Sequence, residues 1–512
     1  MSEAEKVATE TPAESPETTN PVAAAAEGSA VEAQSAPEGE VQDQDGHPGA
    51  PPEEKHEYDL VVCGTGIKEC ILSSLCSIKG LKVLNVDDNP YYGSDSASLN
   101  LEALYEKFRP GQTVPAHYKR PHAWNVDLAP KLLLGSGSLI QMLLQTRVNV
   151  YLEFVVVKGS FVFKDGNIEK VPVTPGEALS SGLVGFFQKR RLRNFLQWVN
   201  DYDLTSSTPN KDLDARSVTA RAAYEYWSLD EETYRFVGHA LAGYSEDSYL
   251  DRPAIEMVER CKLYANAVAQ FNDSPFLYTR YGLGGIPEGF ARAAAIHGGT
   301  QMLNRRITEV QKDDEGKVCG LTIVDNATGE VINVKTKAVL AEARFFANFA
   351  SVPNKVIPKE RIVRSVNFLT HPIPNTENRD SLQIIIPGAS VKRKNDIYVT
   401  LLSSKECVCV PGFWVACAST VVEGNVSSDA EAERQLEPAF RLMGPVENRF
   451  TYTTIRYVAA DDGTKDKIFI TSSLDATCTF DNEAQEVIRI YPRISGEPLD
   501  LSKKLVPDIA DY

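Results

Sequence analysis

The sequence predicts a mixed α/β protein in which a large sheet domain is interrupted by a smaller helical one. Three observations predict it. A strand–turn–helix–strand unit opens near residue 58, helical periodicity runs through 176–270, and apolar β-branched runs return after residue 300. That order fits a sheet domain carrying an insertion. We place the large domain at 56–172 and 273–512, the helical domain at 173–272, and a tail at 1–55.

Tyr58-Asp-Leu-Val-Val-Cys63 reads as a buried strand and Gly64-Thr-Gly66 as a tight turn. From Glu69 to Ile78, residues Cys70, Ile71, Ser74, Leu75 and Ile78 share one helical face. Residues 82–86 supply the second strand. Asp87 follows, where dinucleotide sites place a ribose-binding carboxylate. In G-x-G-x-x-G the glycines let the backbone and helix N-terminus approach a pyrophosphate. Here the third position is Glu69. Two like charges about 4 Å apart cost roughly 4 kcal/mol at an effective dielectric of 20. The set Gly64, Gly66 and Glu69 therefore reads as a vestigial dinucleotide turn. It points away from redox catalysis and toward binding, with no cofactor expected.

The next elements follow from local chemistry. Asp165-Gly166 between apolar runs predicts a hairpin within 151–173. Leu179, Leu183 and Phe186, then Leu192, Phe195, Leu196 and Val199, then Met257, Cys261, Tyr264 and Val268, are spaced as helix faces. Arg252-Pro253 marks a helix start. Gly316–Val324 and Glu330–Val334 flank Asn326-Ala-Thr-Gly329 as a second hairpin. Leu382–Ile386, Asp396–Leu402, Phe413–Ala418 and Lys467–Thr471 read as strands.

Composition excludes several classes. The formal charge is −17, but residues 1–55 hold 13 acidic and 2 basic side chains, leaving −6 for the rest. Neither part is basic enough for nucleic acid. The tail is rich in Ala, Glu, Pro, Ser and Thr, and its low apolar content predicts disorder. The opening Met-Ser-Glu-Ala-Glu-Lys lacks the basic and apolar regions of a secretory signal. No run of about 18 apolar residues predicts a membrane span. The nine scattered cysteines read as small buried hydrophobes, Cys407-Val-Cys409 having no second pair for zinc. The end, Asp508–Tyr512, has no prenylation cysteine. A cytoplasmic protein is expected.

Asp88-Asn-Pro-Tyr91-Tyr92-Gly93 is a turn, and two adjacent tyrosines in it cannot both face the core. With this motif the chain resembles the Rab GDP-dissociation inhibitors, a family that shares a superfamily with the Rab escort proteins. The resemblance also rests on Tyr58–Ser73, Trp124-Asn-Val-Asp-Leu-Ala-Pro-Lys131, Lys189-Arg-Arg-Leu-Arg-Asn-Phe-Leu196 and Tyr281-Gly-Leu-Gly284. Gly289-Phe-Ala-Arg292, Gly298-Gly-Thr300 and Gln383-Ile-Ile-Ile-Pro387 continue it. These motifs keep their order from about 57 to 500.

The resemblance implies a flavoprotein-like, FAD-monooxygenase-like fold and a monomeric, non-enzymatic carrier. It would bind prenylated, GDP-bound Rab GTPases, slow GDP release and extract them from membranes, touching the membrane transiently. By the same resemblance the Rab-binding platform would include Tyr92, Arg292, Thr300 and Met302. Position Gly285 is part of it too, where the family usually has a glutamate; Glu288 follows three residues later. A mobile loop would comprise Gln270, Phe271, Asp273, Ser274 and Pro275, neutral and acidic where the family is usually basic. The geranylgeranyl group would lie in the helical domain, and Met257, Cys261 and Val268 are our choices for its lining. By residue type alone, Met302 reads as core, Thr300 as a turn residue and Arg292 as an ion-pair partner. His122 stands where the family has arginine, and Ala341-Glu-Ala-Arg-Phe-Phe346 replaces a Cys-Asp-Pro-Ser-Tyr stretch. Escort proteins usually carry long insertions, and the short spacing from Trp124 to Phe154 favours the inhibitor. A flavin-dependent oxidoreductase is the other reading, and Glu69 argues against it.

Overall fold

The computed structural model describes residues 56–506, apart from 175–176, 178–180, 207–212, 245 and 272–273. The acidic tail, Leu179, Asp273 and Asp508–Tyr512 thus lie outside the described residues. Strand β1 (Leu60–Cys63), helix α1 (Ile67–Ile78) and β2 (Val83–Val86) form the opening unit. The hairpin of β3 (Ser160–Lys164) and β4 (Asn167–Lys170) follows. Then come α2 (Phe186–Asp201), α3 (Ala220–Tyr226) and α4 (Glu231–Phe236), a π-helical turn at Val237–Leu241, and α5 (Ala254–Phe271). Helix α6 (Gly285–Ile296) leads back to strands β5 (Thr300–Met302), β6 (Val339–Glu342), β7 (Val356–Leu369) and β8 (Leu382–Ile386). Strands β9 (Ile397–Ser403), β10 (Trp414–Val421), β11 (Asn448–Ala459) and β12 (Ile468–Thr471) precede α7 (Asp481–Ser495). Shorter elements join these.

Two sheets organise the chain. The first has the order β5-β2-β1-β6-β12, with all neighbours parallel. Its central strand β1 is buried along its whole length, as a strand covered on both faces must be. Gly64 leaves it at φ +112°, which glycine adopts without steric cost. Helix α1 is buried from Ile67 to Ser77 and packs between α6 and α7. Small side chains permit this. A Cβ on Gly299, just past α6, would stand 2.9 Å from Ser77 Oγ.

The second sheet has the order β11-β7-β10-β9-β8-β3-β4 and is antiparallel except where β8 meets β3. The β3–β4 turn is Asp165-Gly166, both at positive φ, as a two-residue hairpin with right-handed twist requires. Sequence reasoning passed over β7 and β11, the longest pair. Pro358, Lys359, Glu360 and Arg361 disguise the start of β7, and the pair shifts register between Pro358 and Glu360. A third sheet joins Glu57–Tyr58 to Val331–Thr336, Val318–Asp325 and Arg305–Lys312.

The helical segment has its own core, including Phe195, Trp198, Tyr224, Tyr249, Met257 and Cys261. Thr219 and Asp230 cap α3 and α4 by accepting from the amides of Ala222 and Thr233. His239, on the π-helical turn, ties the helices to the second sheet. Its two ring nitrogens face Asp396 at 2.6 Å and Asp247 at 3.0 Å. Burial works against the imidazolium, but those carboxylates outweigh it and raise His239 to about 9.

Candidate functional site

The dinucleotide crevice is filled by the chain's own side chains. Glu69 folds back over the start of α1, and its carboxylate accepts from Thr471 Oγ1. A Cβ on Gly66 would meet Glu69 Oε2 at 2.5 Å and Glu342 Oε2 at 3.7 Å. The place that a diphosphate takes at a helix N-terminus therefore holds two carboxylates. Burial raises the pKa of Glu69. Burial also pushes Glu342 up to about 8, with Arg344 opposing and Glu69 adding to the rise. Asp87 is committed as well. Its Oδ2 accepts from the Thr65 amide and hydroxyl, both at 2.7 Å, and its Oδ1 from the Asn89 amide and side chain, both at 2.9 Å. Arg344 donates to the same Oδ1 at 3.2 Å. These residues do not fit a flavin or nicotinamide dinucleotide.

Beside the crevice, three elements carry the candidate contact residues. Tyr92 is half-buried in the turn after β2, and burial, with Cys70 and Glu288 adjoining, raises its hydroxyl pKa. Gly285, Glu288 and Arg292 share one side of α6 by their spacing. A Cβ on Gly285 would lie 3.2 Å from Leu152 Cδ2, so a larger residue there needs that leucine's tip to give by a few tenths of an ångström. Arg292 is exposed and lies over the Tyr151 ring at 4.6 Å, a cation–π contact. Thr300 and Met302 are half-buried and point to the same side of edge strand β5, where Met302 packs against the core of Leu84, Val86, Ile307 and Phe346, as its residue type suggested. The backbone amide of Asp87 donates to Met302 O at 3.0 Å, and that of Asn304 to Asn89 O at 2.9 Å. The strand end is thereby tied to the tyrosine turn. Thr300 begins a strand rather than forming the turn its glycines suggested.

Asp127 is buried and fixes the start of α6. It accepts from Ser98 Oγ at 2.6 Å, from the Tyr278 hydroxyl, and from the Leu283 amide at 3.0 Å. Ser98 Oγ accepts in turn from the Gly284 amide at 3.0 Å. Burial lifts Asp127 to about 6 against these bonds. Lys131 is also buried. It pairs with Asp475 at 2.6 Å and Glu483 at 3.2 Å.

The remaining residues singled out in the sequence fall elsewhere. Gln270 is exposed and Phe271 half-buried at the end of α5, the Phe271 ring lying where a Cβ on Gly135 would be. Ser274 and Pro275, expected in a mobile contact loop, are buried, because they lead straight into the buried strand Phe276–Thr279. Met257 and Cys261, chosen as pocket lining, are 1% and 3% exposed in the helical core. Val268 is half-buried against the main core. A cavity of about 640 Å³ lies instead between α4 with its π-helical turn and strands β3 and β8. Val162, Leu183, Phe236, Ala240, Ile385 and Pro387 line its apolar part, and Glu231, Arg235, His239, Asp247, Arg393 and Asp396 its charged part. The Lys164–Glu232 ion pair at 2.5 Å also lines it. None of Met257, Cys261 and Val268 lines it. Among the described residues no cluster could hold a metal ion, and no helix is long and apolar enough to cross a membrane.

A family model described as GDP dissociation inhibitor matches residues 54–505. The chain belongs to the GDP dissociation inhibitor family. It is 42% identical over 448 residues to the "Probable secretory pathway GDP dissociation inhibitor 1" of Schizosaccharomyces pombe, covering 88% of this chain and 98% of that protein. It is 42% identical over 450 residues to the "Rab GDP dissociation inhibitor beta" of Rattus norvegicus, covering 87% and 97%. The crystal structure of a Rab GDI from Plasmodium falciparum matches with a TM-score of 0.80 at 38% identity, covering 87% of this chain and all of that one. An oxidoreductase from Methanosarcina mazei matches with a TM-score of 0.53 at 12% identity, covering 84% and 99%, which shows a shared fold alone. The flavoprotein-like mixed-sheet class read from the sequence is borne out.

For a GDP dissociation inhibitor, the sequence motifs prove to be mainly scaffold. Trp124 is buried among Tyr118, Phe368 and Phe413, and Asp127 and Lys131 anchor distant segments. Sequence reasoning missed Ser94, Glu342 and Arg344 as crevice residues. The available signal was that 341–346 ends a fully apolar strand run, which in a parallel sheet puts the next residues at the carboxyl-end crevice.

Proposed function

We propose that this chain binds GDP-loaded, prenylated Rab GTPases, slows GDP release, and carries them off membranes through the cytosol without catalysing a reaction. The family, and the Rab named for the rat and Plasmodium relatives, support the partner class. The single observation that carries the lipid half of the reading is the cavity of about 640 Å³ against the helical segment, with its apolar part formed by Val162, Leu183, Phe236, Ala240, Ile385 and Pro387. Pockets of about 300–1,000 Å³ bury most of a small ligand. A geranylgeranyl chain of 20 carbons gains on the order of 10–16 kcal/mol on burial, at about 0.8 kcal/mol per CH₂. A carrier without comparable apolar burial would leave it in the bilayer.

The protein-binding half falls to the face of Tyr92, Gly285, Arg292, Thr300 and Met302, with residues 173–272 as the lipid-holding domain. Selectivity for GDP then comes from different affinities for two switch-loop states of the partner. The test is extraction of prenylated Rabs from membranes, with GDP-loaded and GTP-loaded samples side by side. Release confined to the GDP form is the expected result; no release by folded protein from several Rabs overturns the reading. Ile385→Trp, which fills the cavity, should abolish extraction while leaving affinity for unprenylated Rab within twofold.

A further inference from the structure

Arg344 lies just past β6, over the Phe345 ring at 4.2 Å. Its guanidinium donates in four directions. Nη1 reaches Asp88 Oδ1 at 3.0 Å, Nη2 reaches Asp87 Oδ1 at 3.2 Å, and Nε reaches both Ser94 Oγ at 3.1 Å and Glu342 Oε2 at 3.0 Å. Ser94 Oγ in turn donates to Glu342 Oε1 at 3.1 Å. Asp87 and Asp88 enter the turn that carries Tyr91 and Tyr92, and Ser94 leaves it. One side chain, some 250 positions away in the chain, thus holds both ends of that turn. The turn needs holding. Gly93 sits at φ +105° and Ser94 at φ +49°, left-handed conformations that a serine resists. The planar fork of arginine can meet several oxygens at fixed angles, whereas a lysine ammonium is a point charge on a flexible stem.

The electrostatics agree. Asp87, Asp88 and Glu342 all pair with this guanidinium, and Glu69 lies close enough to Glu342 to raise it. Removing the cation would leave those carboxylates facing one another.

We propose that Arg344 is a positioning residue for the Tyr91–Tyr92 turn, joining its two ends from inside the filled dinucleotide crevice. The crevice has become the mount for a protein-contacting turn. Its functional consequence rests on the reading that Tyr92 contacts a Rab; the mount itself does not.

Hydrogen exchange of the full chain, read together with GDP-Rab affinity and melting temperature, tests this. In Arg344→Ser, amides within 88–96 should exchange at least tenfold faster while those of β9 and α5 keep wild-type rates. GDP-Rab affinity should fall about tenfold. Arg344→Lys should keep the wild-type melting temperature yet share the faster exchange. Wild-type exchange across 88–96 in Arg344→Ser would overturn the proposal. So would full rescue by Arg344→Lys, since charge alone would then suffice. If Arg344→Ser fails to fold, Asp88→Ala removes the exposed leg and should still speed exchange within 88–94; no change there would overturn it. If wild-type protein binds no GDP-loaded Rab, the functional reading falls and the exchange result alone decides the mount.

Discussion

Asp127 is buried, yet three donors from three segments converge on it. Losing that acceptor leaves the Ser98 and Tyr278 hydroxyls and the Leu283 amide unsatisfied, at about 1–3 kcal/mol each before relaxation. Asp127→Ala should therefore lower stability by about 3–5 kcal/mol, measured by urea unfolding at pH 7. Tyr92 and Arg292 contribute differently, because Arg292 is exposed and Tyr92 is only half-buried against the main core. Each alanine variant should melt within about 2 °C of wild type while losing on the order of tenfold in GDP-Rab affinity, as an aromatic or arginine contact does. Titration of a Rab carrying a fluorescent GDP analogue measures this; unchanged affinity removes that residue from the face. At this scale the sequence was partly legible. Glu69 could be read because a glycine motif makes a definite demand at the third position. Arg344 could not, since three of its four partners lie some 250 residues upstream and no local pattern links them.

The helices meet the second sheet through His239, held between Asp247 and Asp396. Its folded pKa of about 9 lies above the ordinary 6.5, so the pair of contacts adds stability that is fully present below pH 6.5. That contribution is lost as pH rises through about 9. Its size is on the order of 3 kcal/mol. Denaturant unfolding between pH 6.5 and 9.5 should show this decline in wild type and a flatter profile in His239→Gln. Elements with strong local chemistry were legible, as at the Asp165-Gly166 hairpin and the proline before α5. Strand β7 was not. Its first half is charged because it lies exposed beside β11, and its apolar residues cluster only from Ile362 onward. The cavity between α4, β3 and β8 escaped for a related reason. It lies between elements from different parts of the chain, whereas helical periodicity reports a helix's own core, which is where Met257 and Cys261 went.

For the molecule as a whole, the family match covers residues 54–505 and leaves the acidic tail outside it. Deleting residues 1–55, nearly all of which lie outside the family match, should leave GDP-Rab affinity within twofold at physiological salt. A large loss, measured in the same titration, would assign the tail a part in binding.

The first sheet carries a consequence for how the chain is made. Strand β6 pairs on one side with β1 and on the other with β12, and Lys131 waits for Asp475 and Glu483. A ribosome delivers β12 only after β6, and Asp475 344 residues after Lys131. Until then β6 has an open edge and Lys131 has no counter-charge. Loops of that length close slowly, and exposed strand edges invite aggregation meanwhile. The nascent chain should therefore depend on chaperone protection until its last hundred residues are synthesised, and ribosome-stalled chains ending near residue 460 should remain protease-sensitive along β1 and β6.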